Sequence, residues 1–173
     1  MLHIGTHTFD VMRFFAGDAV EIDARIPNYV PEQDLPAVGV VRFANGITGF
    51  IDHTHGVQQG IEVRGKAGYI TFSSMVGDGW LFRIEPDYPA DTKRKYPNRL
   101  RVEPLSTGPH TISLTQRMLA EVHTSLSTGA PYISPARDGA AALELGLACY
   151  ASHFAAGPVP LPLQDRTLRV PNR

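Results

Sequence analysis

The sequence is poor in the features that announce a specialised protein. It has one cysteine, Cys149, so no disulfide can form within the chain. That residue sits in the apolar run LELGLACYASHF, where a buried, inert thiol is expected. Charge of either sign is not in surplus, with 16 Lys and Arg against 17 Asp and Glu. Such a balance excludes a compositional case for nucleic acid or an anionic membrane as partner. The one basic run, TKRKYPNRLR at 92–101, is broken by Pro and Asn and reads as a solvated loop. No apolar stretch approaches the roughly 18 residues that would cross a bilayer, and no basic-then-apolar leader opens the chain. A cytoplasmic protein is expected. A phosphate-cradling glycine turn is also missing. Gly5, Gly17, Gly39 and Gly46 are scattered, and VRGKAG at 63–68 joins two strand-like runs rather than a strand and a helix.

What is present is a clear change of period along the chain. Residues 7–16 carry Phe9, Val11, Met12, Phe14 and Phe15 and predict a helix buried on most sides, stopped by Gly17. Asp10 and Arg13, three apart, are placed to pair on its narrow polar face. Residues 19–26, AVEIDARI, alternate as a half-buried strand does. Asn45-Gly46 between AVGVVRF and ITGFIDHTH predicts a hairpin with both turn residues at positive φ, and Lys66-Ala67-Gly68 predicts a second. WLFRIE and RLRVEPL are strand-like too.

Beyond residue 110 the period becomes helical. Leu114, Met118, Val122 and Leu126 recur every four residues up to Gly129. A second helix should be capped by Ser134, begin at Pro135 and close at Gly157-Pro158. Its stripe is Leu143, Leu147, Tyr150 and Phe154, and its alanines and Gly146 would allow close approach to a sheet. The proline-rich tail can form only an edge strand or an arm. The order predicts an α+β fold, an open and largely antiparallel sheet of about six strands with helices packed on one face, in a single domain over 1–173.

Three segments together resemble the second domain of the Gfo/Idh/MocA oxidoreductases, a family that takes in glucose-fructose oxidoreductase and inositol dehydrogenases. They are G-T-H-x-x-D-x-x-R-F-F-x-G-D at 5–18, IEVRGKAGYITF at 61–72, and ARDGAAALELGLACYASHFAAGPVPLPL at 136–163. The resemblance implies an enzyme that binds NAD or NADP in an N-terminal Rossmann domain not contained in these residues. It implies that this domain supplies substrate contacts and a homo-oligomer interface on its open sheet. A sugar, a polyol or a related hydroxyl compound is the implied substrate. The chain is then expected to be a truncated or split enzyme that binds no dinucleotide alone, with a separate Rossmann-domain protein as a possible partner.

In the family a D-x-x-x-H pair commonly lies at this first segment. The resemblance places its histidine at His7, where an imidazole can carry the substrate hydroxyl proton near neutral pH. It places the acidic position at His3, a departure that would weaken support for a charged His7. Thr6, His53 and His55 become candidate substrate contacts, with Asp10 and Arg13 as structural support for the segment. The residues leave two other readings open. His3 and His7, with His53 and His55 and the single nearby carboxylate Asp52, could in principle hold a metal ion, although no metal site is expected. A non-catalytic, self-associating or carbohydrate-binding module is equally compatible with the missing nucleotide half. His110, His123 and His153 are expected to be surface or helix-face groups.

Overall fold

The computed structural model describes residues 2, 5–30, 36–53, 60–73, 78–85, 100–106, 113–165 and 167. Among them run α1 (Gly5–Ala16), β1 (Ala19–Arg25), β2 (Val38–Phe43), β3 (Thr48–Asp52), β4 (Gly60–Gly65), β5 (Gly68–Ser73), β6 (Asp78–Ile84), β7 (Leu100–Ser106), α2 (Leu114–Thr128), α3 (Ala136–Ala155) and β8 (Val159–Pro160). The class is α+β with open antiparallel sheets, as the change of period indicates. Among the described residues the strands number eight rather than about six. They hydrogen-bond as two four-stranded sheets, β3-β2-β1-β8 and β4-β5-β6-β7. Alternation reveals strands but not which ones pair, and the eighth is hidden among prolines. The chain also divides into two compact units, Met1–His55 with Leu119–Arg173, and Gly56–Met118.

In the first unit, α3 packs on both α1 and β1. The buried core joins Phe9 of α1, Ile22 and Ala24 of β1, Val41 and Phe43 of β2, Ile51 of β3, and Ala142, Leu145, Ala148, Cys149 and Tyr150 of α3. Burying a side chain such as Phe9 or Ile22 contributes roughly 1.5–3 kcal/mol. The face of α3 that meets the core is largely one of small residues, including Ala142, Gly146, Ala148, Cys149 and Ser152. The expected large-residue stripe is therefore split. Tyr150 is fully buried, but Leu143 and Phe154 are exposed. Likewise α1 buries Phe9 and Ala16 but leaves Phe14 78% exposed and Phe15 48% exposed, so it is not covered on most sides.

Close approach of α3 solves a hydrogen-bond problem at β1. The short strand β8 pairs only with Glu21 and Ile22. Beyond it, the amides of Ala24 and Ile26 would have no strand partner. Ser152 Oγ accepts from Ala24 N–H at 2.8 Å and donates to Gly157 O at 2.6 Å. His153 Nδ1 accepts from Ile26 N–H at 3.3 Å, and its ring lies 5.1 Å from that of Tyr29. His153 is thus a structural acceptor, not the bare helix-face group that the sequence suggests. Ser152 is fully buried, and among the described residues no buried side-chain nitrogen or oxygen lacks a partner.

The helix ends differ in detail from expectation. Pro135, not Ser134, occupies the position before α3, with no side-chain cap. The left-handed residue at its far end is Ala156 (φ 53°), one before Gly157. Gly17 (φ 78°) stops α1 as expected, and its N–H bonds to Arg13 O at 2.7 Å. α2 opens on a reciprocal cap in which Ser113 Oγ accepts from Gln116 N–H and Gln116 Oε1 accepts from Ser113 N–H. The β2–β3 connection is longer than a two-residue turn. Gly46 N–H bonds to Phe43 O, and only Gly46 of the turn pair has positive φ (86°), the pattern of a type I turn followed by a bulge.

The second unit is an antiparallel meander. β4 and β5 meet through the two-residue turn Lys66-Ala67, with Gly65 opposite Gly68. Arg64, Tyr69, Phe82 and Val102 lie in one row across the four strands. The rings of Tyr69 and Phe82 stack at 4.3 Å, Arg64 lies over Tyr69, and Arg64 also pairs with Glu62.

Ser152→Ala strands the Ala24 amide. It should lower the unfolding free energy by about 1–3 kcal/mol in urea titrations. Cys149 supplies a second probe, since burial pushes its thiol up to about 12. A thiol reagent at pH 8 should label it only as the first unit unfolds, faster in the Ser152→Ala protein; prompt labelling of the native chain would contradict this packing.

Candidate functional site

The first turn of α1 carries Thr6, His7 and Thr8 in succession. Side chains advance about 100° per residue on a helix, so neighbours face different ways. His7 is exposed, whereas Thr6 and Thr8 are half-buried. Thr8 meets the sheet: its Oγ1 lies 3.0 Å from His53 Nε2. His53 follows the last residue of β3 and is itself held, because its N–H bonds to Ala37 O at 3.0 Å. Two of the expected site residues, His7 and His53, are therefore brought to one region through a third, Thr8, that the sequence reading passed over. A threonine inside a helix carries no sequence signal of such a partner.

His53 is half-buried. Burial holds its imidazole below the ordinary histidine value of 6.5, with Asp52 pulling the other way. His3 and His55 lie outside the described residues, as do His110 and most of the basic run at 92–101. Among the described residues no group of three or more His, Cys, Asp or Glu comes together as a metal would require.

The far end of α1 is fixed by charge and by capping. Arg13 does not pair with Asp10. Its guanidinium bonds Asp18 Oδ1 at 2.9 Å and reaches Asp138 at 3.3 Å (backbone O) and 3.5 Å (Oδ1). The turn at Gly17 folds Asp18 back toward the helix, and Asp138 lies in the first turn of α3. The Arg13 side chain is only 13% exposed, so this pairing ties α1 to α3 from a shielded position. Asn45 Nδ2 donates to Ala16 O at 2.9 Å and caps the last carbonyls of the helix. Met12 seats against Gly49 of β3, where a side chain would collide with it.

Nicotinamide dinucleotides are commonly held where a strand runs through a glycine turn into a helix. The described residues do not fit that group. All their strand pairs are antiparallel, and the glycine-bearing loop at 65–68 is a tight hairpin. The first turn of α1 exposes the His7 imidazole between the half-buried residues Thr6 and Thr8.

Residues 1–161 match the family described as the C-terminal alpha/beta domain of an oxidoreductase family, Gfo/Idh/MocA. The chain belongs to that family. Solved structures share its fold. Levoglucosan dehydrogenase in complex with NADH superposes with TM-score 0.72 at 20% identity, over 92% of this chain and 49% of its own. The WlbA dehydrogenase from Bordetella pertussis, in complex with NADH and UDP-GlcNAcA, gives 0.62 at 18% identity, over 93% and 44%. An oxidoreductase from Agrobacterium radiobacter, in complex with NAD+, L-tartaric acid and magnesium, gives 0.66 at 18% identity, over 91% and 47%. The chain thus spans about half the length of each. No curated protein sequence matches it. No helix among the described residues is long and apolar enough to cross a membrane.

His53 gives the site a pH signature. Its imidazole is held below 6.5 in the folded chain, so the unfolded chain binds the proton more tightly in that window. Stability contributed by neutral His53 is complete above pH 6.5 and is lost as pH falls through the folded value. The stability difference between the wild type and His53→Gln, measured in urea at pH 7 and pH 5, should shift against the wild type on acidification. An unchanged difference would contradict the burial of this ring.

Proposed function

We propose that this chain forms the substrate side of an NAD(P)-dependent oxidoreductase acting on a sugar, a polyol or a related hydroxyl compound. Residues 1–173 serve as one substrate-binding and oligomerisation domain, in a cytoplasmic enzyme whose Rossmann domain is supplied by other residues, in the same protein or in a partner. The observation that carries this reading is the exposed His7 imidazole on the first turn of α1, in a segment that matches the family. Neighbours with NADH and a sugar bound, levoglucosan dehydrogenase with levoglucosan among them, favour the sugar class.

In this reading His7 takes the proton from the substrate hydroxyl as that carbon is oxidised, and Thr6 hydrogen-bonds a neighbouring hydroxyl. His3 stands where the family carries an acid, so His7 gains no charge support from that position. The electron acceptor is NAD or NADP, and no part of its binding is assigned to the described residues.

Three measurements test the reading. NAD or NADP titrated into the chain alone should show no saturable micromolar binding, whereas levoglucosan or L-sorbose should perturb the His7 imidazole resonances. In the complete enzyme, His7→Gln should lower turnover about 10²–10⁴-fold, the usual contribution of a positioned acid–base group. Tight dinucleotide binding by the chain, or full activity of the variant, would overturn the assignment.

A second reading, self-association through the sheet of the second unit, is favoured by its uncovered side chains. Trp80 and Val102 are each 50% exposed and Leu100 is 43% exposed, and all three share one face. Apolar surface of this kind marks contact sites. Sedimentation should show a homo-oligomer that Val102→Glu shifts to monomer; a monomeric wild type would remove this reading.

A further inference from the structure

We infer that His53 is a positioning residue for the candidate site, acting through Thr8 to fix the first turn of α1 and so the direction in which His7 points. The inference rests on the reading of His7 just given, and it assigns His53 a role other than substrate contact.

The geometry has three links. His53 is anchored at the backbone, its N–H on Ala37 O, so the ring is carried by the end of the β2–β3 pair rather than by a free loop. Its Nε2 is 3.0 Å from Thr8 Oγ1 in a half-buried contact. Thr8 then leads to His7 through the helical backbone itself. The first turn of a helix needs such a link. Its amides have no intrahelical partner, and its carbonyls are held only by the N–H groups of Phe9, Asp10 and Val11. No acidic residue lies in that turn to stabilise it. The second half of α1 is tied by Met12 packed against the core, by Arg13 and by the Asn45 cap, and Phe9, the residue after Thr8, is itself buried in the core. The Thr8–His53 contact adds a polar tie on the turn that carries the exposed imidazole.

The orientation also separates two roles. The ring atom that meets Thr8 is Nε2, so the outer nitrogen of His53 is engaged by the protein. A ring used in this way holds a neighbour in place instead of facing a ligand. Either tautomer satisfies the contact: a protonated Nε2 donates to Oγ1, and an unprotonated one accepts the threonine proton.

Amide exchange on the wild type, Thr8→Val, Thr8→Ser, His53→Phe and the Thr8→Val/His53→Phe pair tests this without any substrate. Protection of the Phe9, Asp10 and Val11 amides should fall about two- to tenfold in Thr8→Val, the usual effect of one hydrogen bond. It should fall as much in His53→Phe and no further in the pair. Thr8→Ser should restore it, and the His7 imidazole resonances should shift with the loss and return with the rescue. Amides of Ala16, β1 and β2 should keep their protection. Unchanged protection in Thr8→Val, additive losses in the pair, or a uniform loss throughout the first unit would overturn the positioning role. Because sugar titration and His7→Gln turnover are separate measurements, failure here leaves the proton-relay reading intact, and failure there leaves this brace intact.

Discussion

The first unit depends on how near α3 can come to β1. Strand β8 covers only two residues of β1, so the remaining outward amides of that strand must find acceptors elsewhere. Ser152 and His153 supply them, and they reach only because Ala142, Gly146, Ala148 and Cys149 present little bulk to the core. A buried amide without an acceptor costs about 1–3 kcal/mol. A domain whose whole stability is about 5–15 kcal/mol cannot leave several unpaired. The small-residue face of α3 is therefore set by hydrogen bonding as much as by packing.

That constraint propagates to α1. With α3 placed on β1, Asp138 in its first turn is carried to Arg13, which also holds Asp18 beyond the Gly17 turn. Ala44 N–H on Asp18 O and Asn45 on Ala16 O bring the β2–β3 turn to the same place. The C-terminal end of α1 is thus the meeting point of helix, turn and second helix. Toward its N-terminal end, Thr8 meets His53 just past β3, beside the buried Phe9. Under the proposed reading, the Thr8–His53 contact lies beside the imidazole that meets the substrate.

Much of this was legible from residues alone, and the misses have physical causes. Alternation in AVEIDARI and the Asn45-Gly46 turn located β1 to β3, because period and turn chemistry are local. Strand pairing is not local, so two sheets of four could not be told from one. Periodicity points the large stripe of α3 at the core, but burial follows contact with the partner, and a helix pressed close to a sheet turns its small side down. Asp10 looked like the mate of Arg13 by spacing, but Gly17 reverses the chain and offers Asp18, while α3 offers Asp138. His7 was visible through resemblance. Thr8 was not, since a threonine inside a helix has no signature until the strand that meets it is in place.

Under the proposed reading, the backbone also explains how such a domain divides labour with a nucleotide-binding one. A dinucleotide pyrophosphate is held by free amides where a strand turns into a helix. Antiparallel hairpins use their amides in ladders. A fold of this kind is poor at holding phosphates by backbone. It is well placed to present side chains, since each hairpin or helix end sets one hydroxyl or imidazole at a fixed position. Under the proposed reading, selectivity for the hydroxyl compound then belongs to side chains such as His7 and Thr6, which can be exchanged singly without disturbing the Ser152 and His153 contacts that hold α3 to the sheet.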